Sequence, residues 1–135
     1  EIALMEGKLA VKDLPAAWNS RMQEYLGVTP PNDAKGVLQD IHWANGYFGY
    51  FSTYALGNLI SAQIWEKINQ DIPDLADQIR SGKFDALLTW LRTKIHTHGR
   101  KFEPQELVQK VTGSPIDPTP YMRYLKGKYS DIYGL

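Results

Sequence analysis

Apolar residues recur at intervals of three and four along most of the chain, and prolines and glycines separate the runs. Asp13 stands where a helix cap belongs, with Pro15 in the first turn. Behind it Trp18, Met22, Tyr25 and Leu26 form one face, read as a packing stripe, until Gly27 stops the helix. VTPPNDAKG at 28–36 carries two prolines and turn formers, so the chain changes direction there. Between Gln39 and Phe51 neither a helical nor a strand period holds, and the segment reads as irregular. Tyr54, Leu59, Ile60, Ile64 and Ile68 restore the helical period as far as about Asn69. Pro73 opens a short helix over 74–80 that ends at Gly82. Phe84, Leu87, Leu88, Leu91 and Ile95 predict an amphipathic helix over about 84–96, with Gly99 as a left-handed cap. Glu103 and Pro104 open a helix that runs to Thr112 and stops at Gly113. Prolines 115, 118 and 120 make SPIDPTP a rigid connector into a last helix over about 119–132, bearing Tyr121, Tyr124, Leu125 and Tyr129. No stretch alternates long enough to demand a sheet, so the expected class is all-α, one helical body over residues 1–135.

The break in periodicity is where the chemistry lies. GVLQDIHWANGYFGYFSTYALGN, residues 36–58, sets Gln39, Asp40, His42, Trp43, Tyr47, Tyr50 and Tyr54 among glycines at 36, 46, 49 and 57. Glycines in such a run mark positive φ or the close approach of a ligand or another backbone. A tyrosine hydroxyl on a rigid ring can donate one proton to a substrate oxygen. Three tyrosines taken alone would read more readily as a buried cluster with satisfied hydroxyls.

The same residues carry a family pattern. Gly36, Gln39, Asp40, His42 and Trp43 fit G-x-x-Q-D-x-H-W, and FGYFSTYALGN continues it, so the segment resembles the thermostable (Taq-type) zinc carboxypeptidases. Ile95, His96, Gly99 and Arg100, followed by Glu106-Leu107, are similar to that family's I-H-x-x-G-R element. Ser52 stands where the family often has proline. The H-P-F, D-x-R-x-T and H-E-x-x-H motifs that lie earlier in such enzymes are absent from these residues. The resemblance therefore implies the C-terminal part of a larger, mostly helical metallopeptidase with a deep substrate cleft, and EIALMEGKLA reads as a helix entered midway. It further implies a peptide substrate, a homodimeric and cytoplasmic complete enzyme, and zinc, or cobalt in its place, held by residues outside this chain.

Site roles carry over position by position as what the resemblance implies. Hydrolysis of the last peptide bond develops an oxyanion that needs donors, for which His42 and Tyr54 are the first candidates and Tyr50 the next. Asp40 would orient His42 or a neighbouring donor, and Gln39 and Trp43 would line the cleft. Arg100 could grip a substrate carboxylate, although pairing with Glu106 or holding last-turn carbonyls is the stronger reading.

Composition bounds the alternatives. Fifteen basic and fifteen acidic residues cancel, leaving no electrostatic footprint for nucleic acid or an anionic membrane, and neither partner is expected. No apolar run approaches the roughly 18 residues of a membrane span. With no cysteine there is no thiolate metal site or disulfide, which suits a reducing cytoplasm. Histidines stand only at 42, 96 and 98; the last two, two residues apart, point to different sides of a helix and suit its negative end better than a metal. No metal ligand set is expected here, and the 135 residues alone are expected to be inactive. A second reading from another class is a free-standing helical module that binds a partner through the aromatic segment 43–54. An in-frame H-E-x-x-H encoded upstream of Glu1 would decide for the enzyme.

Overall fold

A computed structural model describes residues 1–135 as seven α-helices linked by short 3-10 turns, with no strand, as the periodicity predicts. The chain divides into two compact units, residues 1–53 and 54–135. No helix is long and apolar enough to cross a membrane.

The first unit holds α1 (Ile2–Met5) and α2 (Leu14–Leu26). Pro15 sits in the first turn of α2 and Gly27 ends it in the left-handed conformation, both as expected. Asp13, however, makes no cap hydrogen bond. A capping carboxylate reaches the N2 or N3 amide from extended backbone, whereas Asp13 closes the preceding turn Val11–Asp13 with helical dihedrals. The stripe on α2 also departs from its expected role. Trp18 and Met22 are half-buried, but Tyr25 and Leu26 are 69% and 66% exposed, so the end of the helix is not packing surface within this unit. After α2 the chain turns as VTPPNDAKG predicts: the Asn32 side chain accepts from the Lys35 amide at 3.1 Å, capping the turn Asp33–Lys35. Gly36 follows under close approach, since a Cβ there would lie 3.2 Å from both the Asn32 carbonyl oxygen and Pro30 Cβ.

The second unit contains nearly all of α3 (Ser52–Asp71), whose first turn the division crosses, followed by α4 (Leu75–Arg80), α5 (Asp85–Lys94), α6 (Pro104–Thr112) and α7 (Thr119–Tyr133). Ile68, Leu75, Trp90 and Val111 form its core, with Ile64, Ile72, Ile79, Leu87, Leu91, Ile95 and Leu107 packed around them. Leu75 is fully buried, a contribution of about 1.5–3 kcal/mol from apolar surface withdrawn from water. The one polar edge of this core is satisfied, the Trp90 indole N–H donating to Asp71 at 2.8 Å. On α6 the Glu103 and Glu106 side chains form a reciprocal capping box, and Gly113 ends the helix.

Two expectations here need correction. The α5 helix ends at Lys94 rather than His96, because Ile95 leaves helical dihedrals and His96–His98 tighten into a 3-10 turn. Gly99 has positive φ (53°) but ψ of −125°, so it is not the left-handed cap expected and instead lets the chain reverse after that turn. The SPIDPTP connector owes its path to more than its prolines. Gln63, 4% exposed on α3, donates from Nε2 to the Ser114 hydroxyl and the Pro115 carbonyl, both at 2.8 Å. Its Oε1 accepts from the Asp117 amide at 3.1 Å. A single buried amide thus clamps both ends of the bend.

Candidate functional site

The irregular segment is held by its own polar side chains. After the turn Val37–Gln39, Gln39 Nε2 donates back to the Ala34 carbonyl at 2.5 Å. Asp40 is extended, and its Oδ1 accepts from the His42 backbone amide at 2.7 Å, the short side-chain loop that aspartate makes two residues on. The same oxygen lies 3.1 Å from His42 Nδ1. Both side chains are largely withdrawn from water, 9% of Asp40 and 17% of His42 remaining exposed. The turn Trp43–Asn45 then ends at Gly46, whose φ of 75° would be strained in any other residue. Gly49, at 77°, bends the chain again.

These bends bring rings onto His42. Tyr50 stacks on the imidazole with centroids 5.7 Å apart and planes 24° apart, and Phe51 meets it edge-on at 5.4 Å. Tyr47 tilts against Tyr50 at 5.9 Å. Trp43 stacks on Phe48 at 5.9 Å, takes an edge contact with Trp18 at 6.5 Å, and donates from its indole nitrogen to Glu1 at 2.8 Å. Asp40, His42 and Tyr50 therefore form one cluster, as the sequence grouped them. Gln39, Asp40 and Trp43 share a cleft of about 850 Å³ with Trp18, Arg21 and Tyr25. The last three were missed as cleft residues. The signal available was Arg21 inside the supposed packing stripe, a charge that a buried face would exclude.

The remaining candidates belong to the second unit. Tyr54 lies in the first turn of α3 and is 53% exposed. Arg100 is exposed, follows the His96–His98 turn, and makes no ion pair within the chain. The expected pairing with Glu106 does not form, because Glu106 Oε2 accepts from the Glu103 amide at 3.1 Å to close the capping box. The I-H-x-x-G-R element is instead built into the fold of its unit: Ile95 and Leu107 pack on the core, Glu106 caps α6, and the His98 ring meets Phe102 edge-on at 5.3 Å.

No group of three or more His, Asp or Glu side chains is placed to hold a metal ion. The only imidazole–carboxylate pair, Asp40 with His42, supplies two donors that already engage each other, so the residues of this chain do not fit a metal ligand set.

Residues 1–129 match the family model for the carboxypeptidase Taq (M32) metallopeptidases. The chain is 43% identical to thermostable carboxypeptidase 1 of Thermus thermophilus over 99% of its own length and 26% of that protein. It is 41% identical to carboxypeptidase 1 of Bacillus subtilis, again over 26% of the relative. Among solved structures, the M32 carboxypeptidase from Deinococcus radiodurans superposes with a TM-score of 0.91 at 39% identity, covering 98% of this chain and 27% of that one. Metallocarboxypeptidase 1 of Trypanosoma cruzi gives 0.88 at 36% identity, covering 94% and 26%. The chain thus spans about a quarter of the length of the curated relatives it matches. On a match over nearly its whole length, it belongs to the carboxypeptidase Taq (M32) metallopeptidase family.

Proposed function

We propose that this chain supplies the substrate side of a metallocarboxypeptidase that removes single amino acids from the C-termini of peptides. The observation that carries the reading is the G-x-x-Q-D-x-H-W segment folded as a cluster, with His42 held between Asp40 and Tyr50 beside an aromatic cleft. In this reading both units are parts of one catalytic domain, and its C-terminal portion. His42 and Tyr54 donate to the oxyanion that develops on the scissile carbonyl, with Tyr50 as the alternative donor. Donors fixed in advance where charge appears lower the barrier without reorganising. Gln39 and Trp43 line the path of the peptide, and Asp40 acts on His42. Arg100, unpaired within the chain, is available to a substrate carboxylate or to an acid elsewhere in the enzyme. The metal, zinc or cobalt, is held by residues outside this chain, and the complete enzyme is a cytoplasmic homodimer.

The test uses the complete enzyme that carries this chain and a pair of peptides, one with a free C-terminus and one amidated. Stepwise release of single C-terminal residues from the first alone, abolished by a chelator and restored by zinc or cobalt, is the expected result. Cleavage at internal bonds, or equal hydrolysis of the amidated peptide, contradicts the reading.

A further inference from the structure

The contact between Asp40 and His42 fixes more than the direction of the ring. An ionised carboxylate has lone pairs and no proton, so it only accepts. Asp40 Oδ1 lies 3.1 Å from His42 Nδ1 and 2.7 Å from the His42 backbone nitrogen, so the contact is a hydrogen bond only if Nδ1 carries a proton. Turning the ring over keeps its plane against Tyr50 but sets a carbon in place of Nδ1 at Asp40, so the contact identifies the nitrogen that faces the carboxylate. We propose that Asp40 is a positioning residue that holds His42 in the Nδ1–H tautomer.

The consequence lies at Nε2. While the imidazole is neutral, Nε2 bears a lone pair and accepts a hydrogen bond from a hydroxyl or amide N–H. It becomes a donor only when the ring takes up a second proton, and Asp40 then balances the charge. Resting on the proposed function, this refines the part played by His42. The neutral residue orients a hydroxyl or a substrate N–H, and only the imidazolium donates to an oxyanion. Among the groups that face the ring are the charged Asp40, the titratable Tyr50 on its face, and Phe51 at its edge.

The arrangement is read directly by two-bond nitrogen–proton correlation spectra of the isotope-labelled 135-residue chain, recorded above the titration of histidine. His96 and His98, which have no carboxylate partner, are internal references. His42 is expected to show a protonated Nδ1 and a bare Nε2, the reverse of the references, where Nε2–H predominates. Asp40→Ala removes Oδ1, the one oxygen that both His42 Nδ1 and the His42 backbone amide use. It should shift His42 toward the reference pattern in a chain that circular dichroism shows to be still folded. A wild-type His42 that already matches His96 and His98, or a folded Asp40→Ala variant that keeps Nδ1 protonated, overturns the proposal. Neither result depends on peptidase activity, so failure here is distinguishable from failure of the functional reading.

Discussion

Replacing Gln63 by methionine preserves the length and volume of the side chain while deleting every hydrogen bond of the clamp on residues 114–117. Three groups lose their partner: the Ser114 hydroxyl, the Pro115 carbonyl and the Asp117 amide. A buried polar group left unpaired costs about 1–3 kcal/mol. Ser114 and Asp117 are half-buried and Pro115 is exposed, so all recover some hydration; the low end for the first two and less for the third sum to about 2–3 kcal/mol. That is a large share of the roughly 5–15 kcal/mol that separates a folded domain from its unfolded chain. Urea denaturation followed by circular dichroism should show a lower midpoint at unchanged slope. Gln63→Glu sharpens the test. It keeps an acceptor for the Asp117 amide but turns a donor toward the Pro115 carbonyl into a charge. Burial and that carbonyl hold the new carboxyl above its unfolded pKa of about 4.3, so stability is fully present below that value and lost as pH rises through the folded one. Gln63→Glu should therefore be markedly less stable than wild type at pH 7 and approach it near pH 4. A Gln63→Met variant within about 0.5 kcal/mol of wild type, or a Gln63→Glu penalty independent of pH, refutes the reasoning.

Two further outcomes follow from the structure. Lys67 and then the Trp90 indole hydrogen-bond Asp71 and hold its carboxyl below the usual range, so its contribution is present above about pH 4 and is lost as pH falls through the folded value; an acid titration of stability should lose part of its slope in Asp71→Asn. Gly46→Ala places a Cβ at φ of 75° and should cost about 1–2 kcal/mol, with Gly57→Ala, in open space on α3, neutral or stabilising by comparison in the same thermal melts.

The helices were legible because the amphipathic faces return at the helical period and most ends carry proline, glycine or a capping pair. The capping box at Glu103 and Glu106 is such a local device. Errors fell where a distant residue decides. Gly99 was expected to be a helix cap, but Ile95 had already broken the helix, and the glycine serves the reversal after it. The glycines of the aromatic segment were expected to mark positive φ or close approach. Gly46 and Gly49 do the first and Gly36 the second, while Gly57 sits inside α3 with nothing within 4 Å of a Cβ. Within the candidate site, the spacing of Asp40 and His42 foretold their contact, because an aspartate reaches two residues on by local geometry alone. The stack of Tyr50 on His42 depends on two intervening bends, and the meeting of Trp18 with Trp43 on contacts between separate elements. No periodicity encodes either.

The central claim, that the segment after Gly36 supplies groups that act in the transition state, is tested most directly by the steady-state kinetics of Tyr54→Phe in the complete enzyme. Tyr54 is half-exposed at the start of α3, and the substitution removes one hydroxyl while leaving the ring. If that hydroxyl donates to the developing oxyanion, kcat falls about a hundredfold, about 2.7 kcal/mol, with KM little altered and stability within about 1 kcal/mol of wild type. Full kcat in Tyr54→Phe, with the loss appearing instead in Tyr50→Phe, would contradict the assignment and move the oxyanion donor to the tyrosine stacked on His42.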